Sequence, residues 1–168
     1  MIVRDAAPAD FARVLALNEE SVRFLSPLSA ARLEQLHSQA ALHVIAVDAG
    51  EVAGFLLAFR ERAPYDSMNY QWFDQRHARF LYIDRVVVDQ RMQSRGAGAS
   101  LYRHAFDAAE AAGLPLVACE FDVDPPNPAS AAFHAKFGFR EAGRQLVAGG
   151  TKQVSMQIAM LPRNGERR

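Results

Sequence analysis

Apolar positions along the 168-residue chain switch between two periods, and the switches mark out its elements. Ile2 to Ala6 reads as a short strand. Beyond Pro8, the residues Phe11, Val14, Leu15 and Leu17 recur at helical spacing, predicting a helix over 8–25 with proline near its start. Residues 29–41 repeat that pattern behind Ser29, a good N-cap. Residues 43–61 form two β-rich runs around Asp48-Ala49-Gly50, a tight hairpin signal. Residues 62–78 keep no clean period and read as a long loop. Residues 79–89 read as a strand, 98–113 as a helix closed by Gly113, and 114–123 as another strand. A turn at Asp124-Pro125-Pro126-Asn127 leads to a short helix stopped by Gly138. Two last β-like runs, 144–148 and 152–161, surround Gly149-Gly150. The order predicts an α/β protein with a mixed sheet, antiparallel hairpins flanking a central β-helix-β unit. One domain over 1–162 and a polar tail over 163–168 are expected.

Charge narrows the functions available. Lys+Arg equals Asp+Glu at 19 each, so no global field draws the chain to nucleic acid or a membrane surface. No apolar run approaches the roughly 20 residues needed to span a bilayer. The first ten residues lack a basic region followed by an apolar stretch. Together with the single cysteine, Cys119, this leads to a cytoplasmic expectation without an internal disulfide. Neither an HxxxH pair nor a CxxC is present, so no metal site is expected.

The chemistry concentrates after the strand 79–89. Gly96 and Gly98 let backbone N–H groups approach an anion, and the following helix adds its positive end. Arg95 can add a charge-assisted contact. A plain glycine turn has the same letters. A Walker loop would require Gly-Lys-Ser/Thr, which is lacking. A dinucleotide fingerprint would require a third glycine where Leu101 stands, although Glu120 lies at about the right distance.

Gln93-Ser94-Arg95-Gly96-Ala97-Gly98 fits the pattern Q/R-x-x-G-x-G/A, and a second signature follows about 30 residues on. There Asn127, Ser130, Phe133, Gly138 and Phe139 fall in register. Together they resemble the GNAT superfamily of acyl-CoA-dependent N-acetyltransferases over nearly the whole chain. The resemblance implies a mixed, mostly antiparallel sheet of about seven strands with about four helices, splayed between the fourth and fifth strands. It implies acetyl-CoA as donor, its pyrophosphate on Gln93, Ser94, Arg95, Gly96, Ala97, Gly98 and Ala99. The pantetheine arm would pair with Val86, Val87 and Val88, and meet Asn127, Ser130, Phe133 and His134.

His134 stands where the family usually carries a tyrosine acid, and an imidazole can donate a proton near neutral pH. Tyr82 stands where a glutamate base is common. Asp84, two residues on, and Glu120, sharing a face with Asp122, are the candidate bases. Tyr65, Tyr70, Trp72 and Phe73 are expected to wall an acceptor pocket, with Asp66 and Asp74 attracting an ammonium group. Glu19, Glu20 and Phe24 are expected on its other side. The expected acceptor is a small amine or amino-acid-like molecule, and a homodimer is compatible. A catalytically weak acyl-CoA sensor and a dinucleotide-binding module are the competing readings. Cys119 reads as a core residue.

Overall fold

Ala49 and Gly50 take positive φ angles of 48° and 82°, the pair of left-handed residues that a two-residue hairpin turn requires. They join β2 (Leu42–Asp48) to β3 (Glu51–Arg60). The remaining strands are β1 (Ile2–Asp5), β4 (Leu81–Val88), β5 (Leu116–Asp124), β6 (Arg140–Val147) and β7 (Lys152–Met160). The helices are α1 (Phe11–Glu20), α2 (Ala30–Gln39), α3 (Met68–Asp74), α4 (Ala97–Ala111) and α5 (Pro128–Lys136). This computed structural model describes residues 1–22 and 25–162, so Phe24 and the 163–168 tail lie outside the described residues. The strands form one mixed sheet in the order β1-β2-β3-β4-β5-β7-β6. No helix among the described residues is long and apolar enough to cross a membrane.

The chain divides into two compact units interleaved in sequence. The first comprises Met1–Phe59 and Ile83–Ala108. In it β1 pairs antiparallel with β2, Ile2 opposite Val47, and β2 pairs antiparallel with β3, Leu42 opposite Ala58. Val14 and Leu17 of α1 and Leu33 of α2 close over Ile45, Phe55 and Val87. The expected helix over 8–25 is shorter than its pattern. Pro8–Asp10 forms a 3₁₀ turn, and α1 ends at Glu20. The Asp10 carboxylate accepts the Ala7 N–H at 2.8 Å and pairs with Arg4, which fixes that turn. Past Glu20, Asn18 Nδ2 donates to the Ser26 carbonyl at 3.1 Å and holds the returning chain.

The second unit comprises Arg60–Tyr82 and Ala109–Arg168. β5 runs antiparallel to β7 from Leu116↔Met160, and β6 pairs antiparallel with β7. β4 and β5 are parallel, registered at Leu81↔Val117 and Tyr82↔Ala118. Gly113, at φ 67°, closes α4: its N–H bonds Glu110 and the next N–H, of Leu114, bonds Ala109. That is the glycine cap expected from the pattern.

Two expectations fail in this unit. The supposed loop 62–78 contains α3, capped by Ser67, whose hydroxyl accepts the Tyr70 N–H at 3.3 Å. With only Tyr70 and Phe73 buried, two turns of helix are too short to display a period. The described residues therefore hold five α-helices rather than four. β6 also starts at Arg140, earlier than the run at Arg144, because a bulge between Glu141 and Gly143 keeps it paired with β7. Its first three residues are exposed, so no alternation marks them.

Candidate active site

The anion loop begins at a close strand crossing. A Cβ on Gly54 of β3 would lie 2.5 Å from the Val87 carbonyl oxygen, so only glycine lets the backbones approach this closely. Val87 is buried, while Val86 and Val88 are half-buried. Asp89 follows, buried, its N–H donating to the Ala53 carbonyl at 2.8 Å. Its carboxylate accepts the Arg91 N–H and guanidinium at 2.8 Å each, and the Arg13 guanidinium. The Arg91 contacts, side chain first and then backbone, hold that carboxyl down at about 2. Asp89 thus stays charged and locks the turn Gln90–Met92 that leads into the loop.

Ser94 and Gly96 take φ angles of 67° and 84°. The Ser100 N–H donates to the Gly96 carbonyl at 2.9 Å, which makes Gly96 the residue before the first turn of α4. The N–H groups of Ala97, Gly98 and Ala99 then have no partner within the helix, and the dipole adds positive potential there. Ala97 is buried, and Gly98 and Ala99 are half-buried with little or no side chain to stand in front of the backbone. Arg95 lies 3.4 Å from Asp48 in an exposed pair, too loose to hold its guanidinium away from a ligand. These residues suit a pyrophosphate. Gly54, Asp89 and Arg13 were not anticipated from the sequence, although a glycine inside a strand is a signal of close approach.

In the second unit Glu120 of β5 is held at both oxygens. The Tyr82 hydroxyl donates to Oε2 at 2.8 Å and the Asn69 amide to Oε1 at 3.2 Å. Tyr82 is therefore a hydrogen-bond donor to the carboxylate, in the place where the resemblance suggested a base. Asp84 is engaged differently. Arg85 Nε donates to its Oδ2 at 2.7 Å, and the two side chains are 5% and 6% exposed. Arg85 also donates to Asn18 Oδ1 at 3.1 Å and Ser26 Oγ at 3.3 Å. The two candidate bases thus have different partners, a buried guanidinium at Asp84 and a phenol and an amide at Glu120. Asp122 pairs with Lys152 at 3.3 Å.

His134 is buried among Phe121, Phe133 and Phe139, with ring centroids 5.4, 5.5 and 5.4 Å away. Its Nδ1 lies 2.7 Å from the Ser130 carbonyl, which can only accept, so Nδ1 carries the proton. Burial lowers the His134 pKa, against an opposing push from the Ser130 carbonyl. A neutral ring of this tautomer has no proton on Nε2 to give, which tells against the expected acid role. Asn127 Oδ1 caps α5 through the Ser130 N–H at 3.3 Å, with Pro128 next to it as expected. Phe133 also packs on Phe137, centroids 5.2 Å apart. Burial raises the Cys119 thiol pKa, in keeping with a core residue.

The aromatic wall expected over 62–78 is largely spent on packing. Tyr70 is buried, its hydroxyl donating to the Arg60 carbonyl at 2.7 Å and accepting the Ala63 N–H at 2.8 Å. Tyr65 is buried against it and Phe73 is fully buried. Trp72 lies edge-on to Gly143 and carries Arg76 over its ring at 3.9 Å. Asp74 pairs with Arg62 at 2.6 Å. Glu19 and Glu20 are exposed, Glu20 lying 3.7 Å from Arg13.

A family model described as the Acetyltransferase (GNAT) family matches residues 10–139. The chain belongs to this family: it is an N-acetyltransferase that takes its acetyl group from acetyl-CoA. No curated protein matches it. Among solved structures it is similar to Ard1 from Thermoplasma volcanium, at 17% identity over 96% of this chain and 98% of that one, TM-score 0.77. It is also similar to the ribosomal-protein-S18-alanine N-acetyltransferase from Escherichia coli, at 17% identity over 99% and 97%, TM-score 0.72. A third likeness is to Naa20 from Chaetomium thermophilum in complex with a bisubstrate analogue, at 18% identity over 100% and 90%, TM-score 0.78. At these identities the likeness establishes a shared fold.

Proposed function

We propose that the chain acetylates a primary amine of a small or amino-acid-like acceptor, with Glu120 as the base that takes the acceptor's proton. The observation that carries this is the Glu120 carboxylate itself, which accepts the Tyr82 hydroxyl at one oxygen and the Asn69 amide at the other. A carboxylate placed by such contacts can take a proton from an acceptor ammonium. Acetyl-CoA supplies an acetyl thioester whose thiol, with a pKa near 8.5, leaves without a strong acid. Gln93 to Ala99 would hold its pyrophosphate through loop amides and the N-terminal end of α4. The arm would lie along Val86 to Val88, as the family resemblance implies. Asn127, Ser130, Phe133 and His134 would line its far end, His134 as a neutral ring. The family match runs through residues of both units, which supports one catalytic domain over 1–162.

Solved structures of this fold include an enzyme named for a ribosomal protein, so the acceptor is the point to test. The experiment is thiol release from acetyl-CoA across amino acids, polyamines and short peptides with free N-termini. Turnover of small amines is expected, and Glu120→Gln should lower kcat/KM by about 10²–10⁴ with acetyl-CoA affinity unchanged. Turnover of peptides alone would move the acceptor to proteins. A Glu120→Gln enzyme as fast as the parent would remove Glu120 as the base.

A further inference from the structure

Four N–H donors converge on the Asp89 carboxylate, and they come from two directions. From its own turn, the Arg91 N–H and Nε reach Oδ1 at 2.8 and 3.2 Å, and Arg91 Nη2 reaches Oδ2 at 2.8 Å. From α1, 76 residues away in sequence, the Arg13 guanidinium reaches the same Oδ2. The Asp89 side chain is 2% exposed. Burying a carboxylate is tolerated where cations and N–H groups fill its lone pairs, as they do here.

The loop beyond needs such an anchor. Ser94 is not a glycine, yet it stands at φ 67°. A side chain disfavours that conformation, which persists where the flanking chain imposes it. On one flank lies α4, with Ala97 and Leu101 buried. On the other lies the turn Gln90–Met92, in which Met92 is buried and donates its N–H to the Asp89 carbonyl at 2.9 Å. Asp89 in turn is fixed to β3 through the Ala53 carbonyl and to α1 through Arg13. All of these residues belong to the first unit.

We infer that Arg13 and Asp89 are positioning residues for the acetyl donor: their ion pair ties the loop Gln93–Ala99 to α1 and holds it shaped for pyrophosphate before acetyl-CoA binds. Both roles presuppose that loop as the pyrophosphate seat proposed above. A loop seated in a tenth of the molecules would bind about tenfold more weakly than one always seated. Arg13→Met removes the guanidinium and leaves Asp89 its Arg91 contacts. Asp89→Asn keeps an oxygen for the Arg91 N–H but turns an NH2 toward Arg13, donor against donor. These two variants change the local charge in opposite senses. Simple attraction for an anion would weaken binding in Arg13→Met and tighten it in Asp89→Asn, whereas lost positioning weakens both.

The test is calorimetric titration of the folded full chain and its variants with acetyl-CoA. Arg13→Met and Asp89→Asn are expected to raise the Kd about tenfold, and Arg13→Lys, which keeps a cation, to recover most of the affinity. With an amine that the parent turns over, the KM for acetyl-CoA should rise likewise while kcat at saturating donor holds. Leu33→Ala opens a cavity in the core of the same unit and controls for lost stability, so its Kd should stay at the parent value. Parent affinity in Arg13→Met, tighter binding in Asp89→Asn, or an equal loss in Leu33→Ala each overturns the inference. Should Asp89→Asn not fold, Asp89→Glu takes its place: it keeps the charge and displaces it, so parent affinity there overturns the inference too. Gly98→Glu, which puts a like charge into the loop, separates the two readings. Weak binding by Gly98→Glu beside parent affinity in Arg13→Met keeps the loop as the seat and removes the positioning. Parent affinity in Gly98→Glu removes the seat, and the positioning with it.

Discussion

Gly54 has no room for a side chain, and the atoms in the way belong to the backbone. Its Cβ would lie 2.5 Å from the Val87 oxygen and 3.3 Å from the Val88 Cα, neither of which can swing aside. Gly54→Ala must therefore push β3 and β4 apart, at about 1–3 kcal/mol for overpacking. The urea midpoint should fall accordingly. Acetyl-CoA affinity, measured by calorimetry, should fall with it, since the displaced residues are those expected to pair with the arm. Parent values for both would show that the crossing has slack. His134 gives a second prediction at this scale. With Nδ1 committed to the Ser130 carbonyl and the ring kept neutral by burial, His134→Gln should cost less than the 10²–10⁴ of a lost general acid. A loss beyond about a hundredfold, confined to kcat, would restore the acid role.

Short elements depend on their ends and on what they rest against. In α3 the Ser67 hydroxyl holds the Tyr70 N–H, so Ser67→Ala should cost about 1 kcal/mol by chemical denaturation. The chain's one tryptophan, Trp72, rides on this helix with its ring against Gly143. A Cβ at Gly143 would come within 2.6 Å of that ring. Gly143→Ala should therefore lift the indole toward water and shift its emission to the red, and unchanged emission would mean that β6 yields instead. The elements around the anion loop were legible because their cues are local. Gly96 at φ 84° and Gly113 at φ 67° each need a left-handed backbone that favours glycine. α3 was illegible because its buried face is two residues, Tyr70 and Phe73, amid polar neighbours.

Across the whole molecule, acid should act in two windows. His43 is buried beside His37, with Nδ1 atoms 2.7 Å apart, and burial followed by that neighbour lowers its pKa to about 4. A histidine whose folded pKa lies below its unfolded one favours folding only while neutral. Its contribution is present above the unfolded value of about 6.5 and is lost as pH falls toward 4. Glu61 and Asp89, each held down at about 2, contribute stability above their unfolded values, lost as pH falls toward 2. Urea midpoints at decreasing pH should thus drop first between about 6.5 and 4, and His43→Gln should flatten that first drop. Equal slopes in parent and variant would clear His43 of this role. The order of the elements other than α3, the hairpin turn, the glycine stops and both family signatures were determined by the sequence itself, because turn dihedrals and caps involve residues a few positions apart. The different partners of Asp84 and Glu120, the burial of His134 and the presence of α3 were decided only by the tertiary structure. Asn69 and Glu120 are 51 residues apart, and Asn18 and Arg85 are 67 apart. Whether a carboxylate meets a guanidinium or an amide over such distances depends on which chain segments pack together, and no local pattern encodes it.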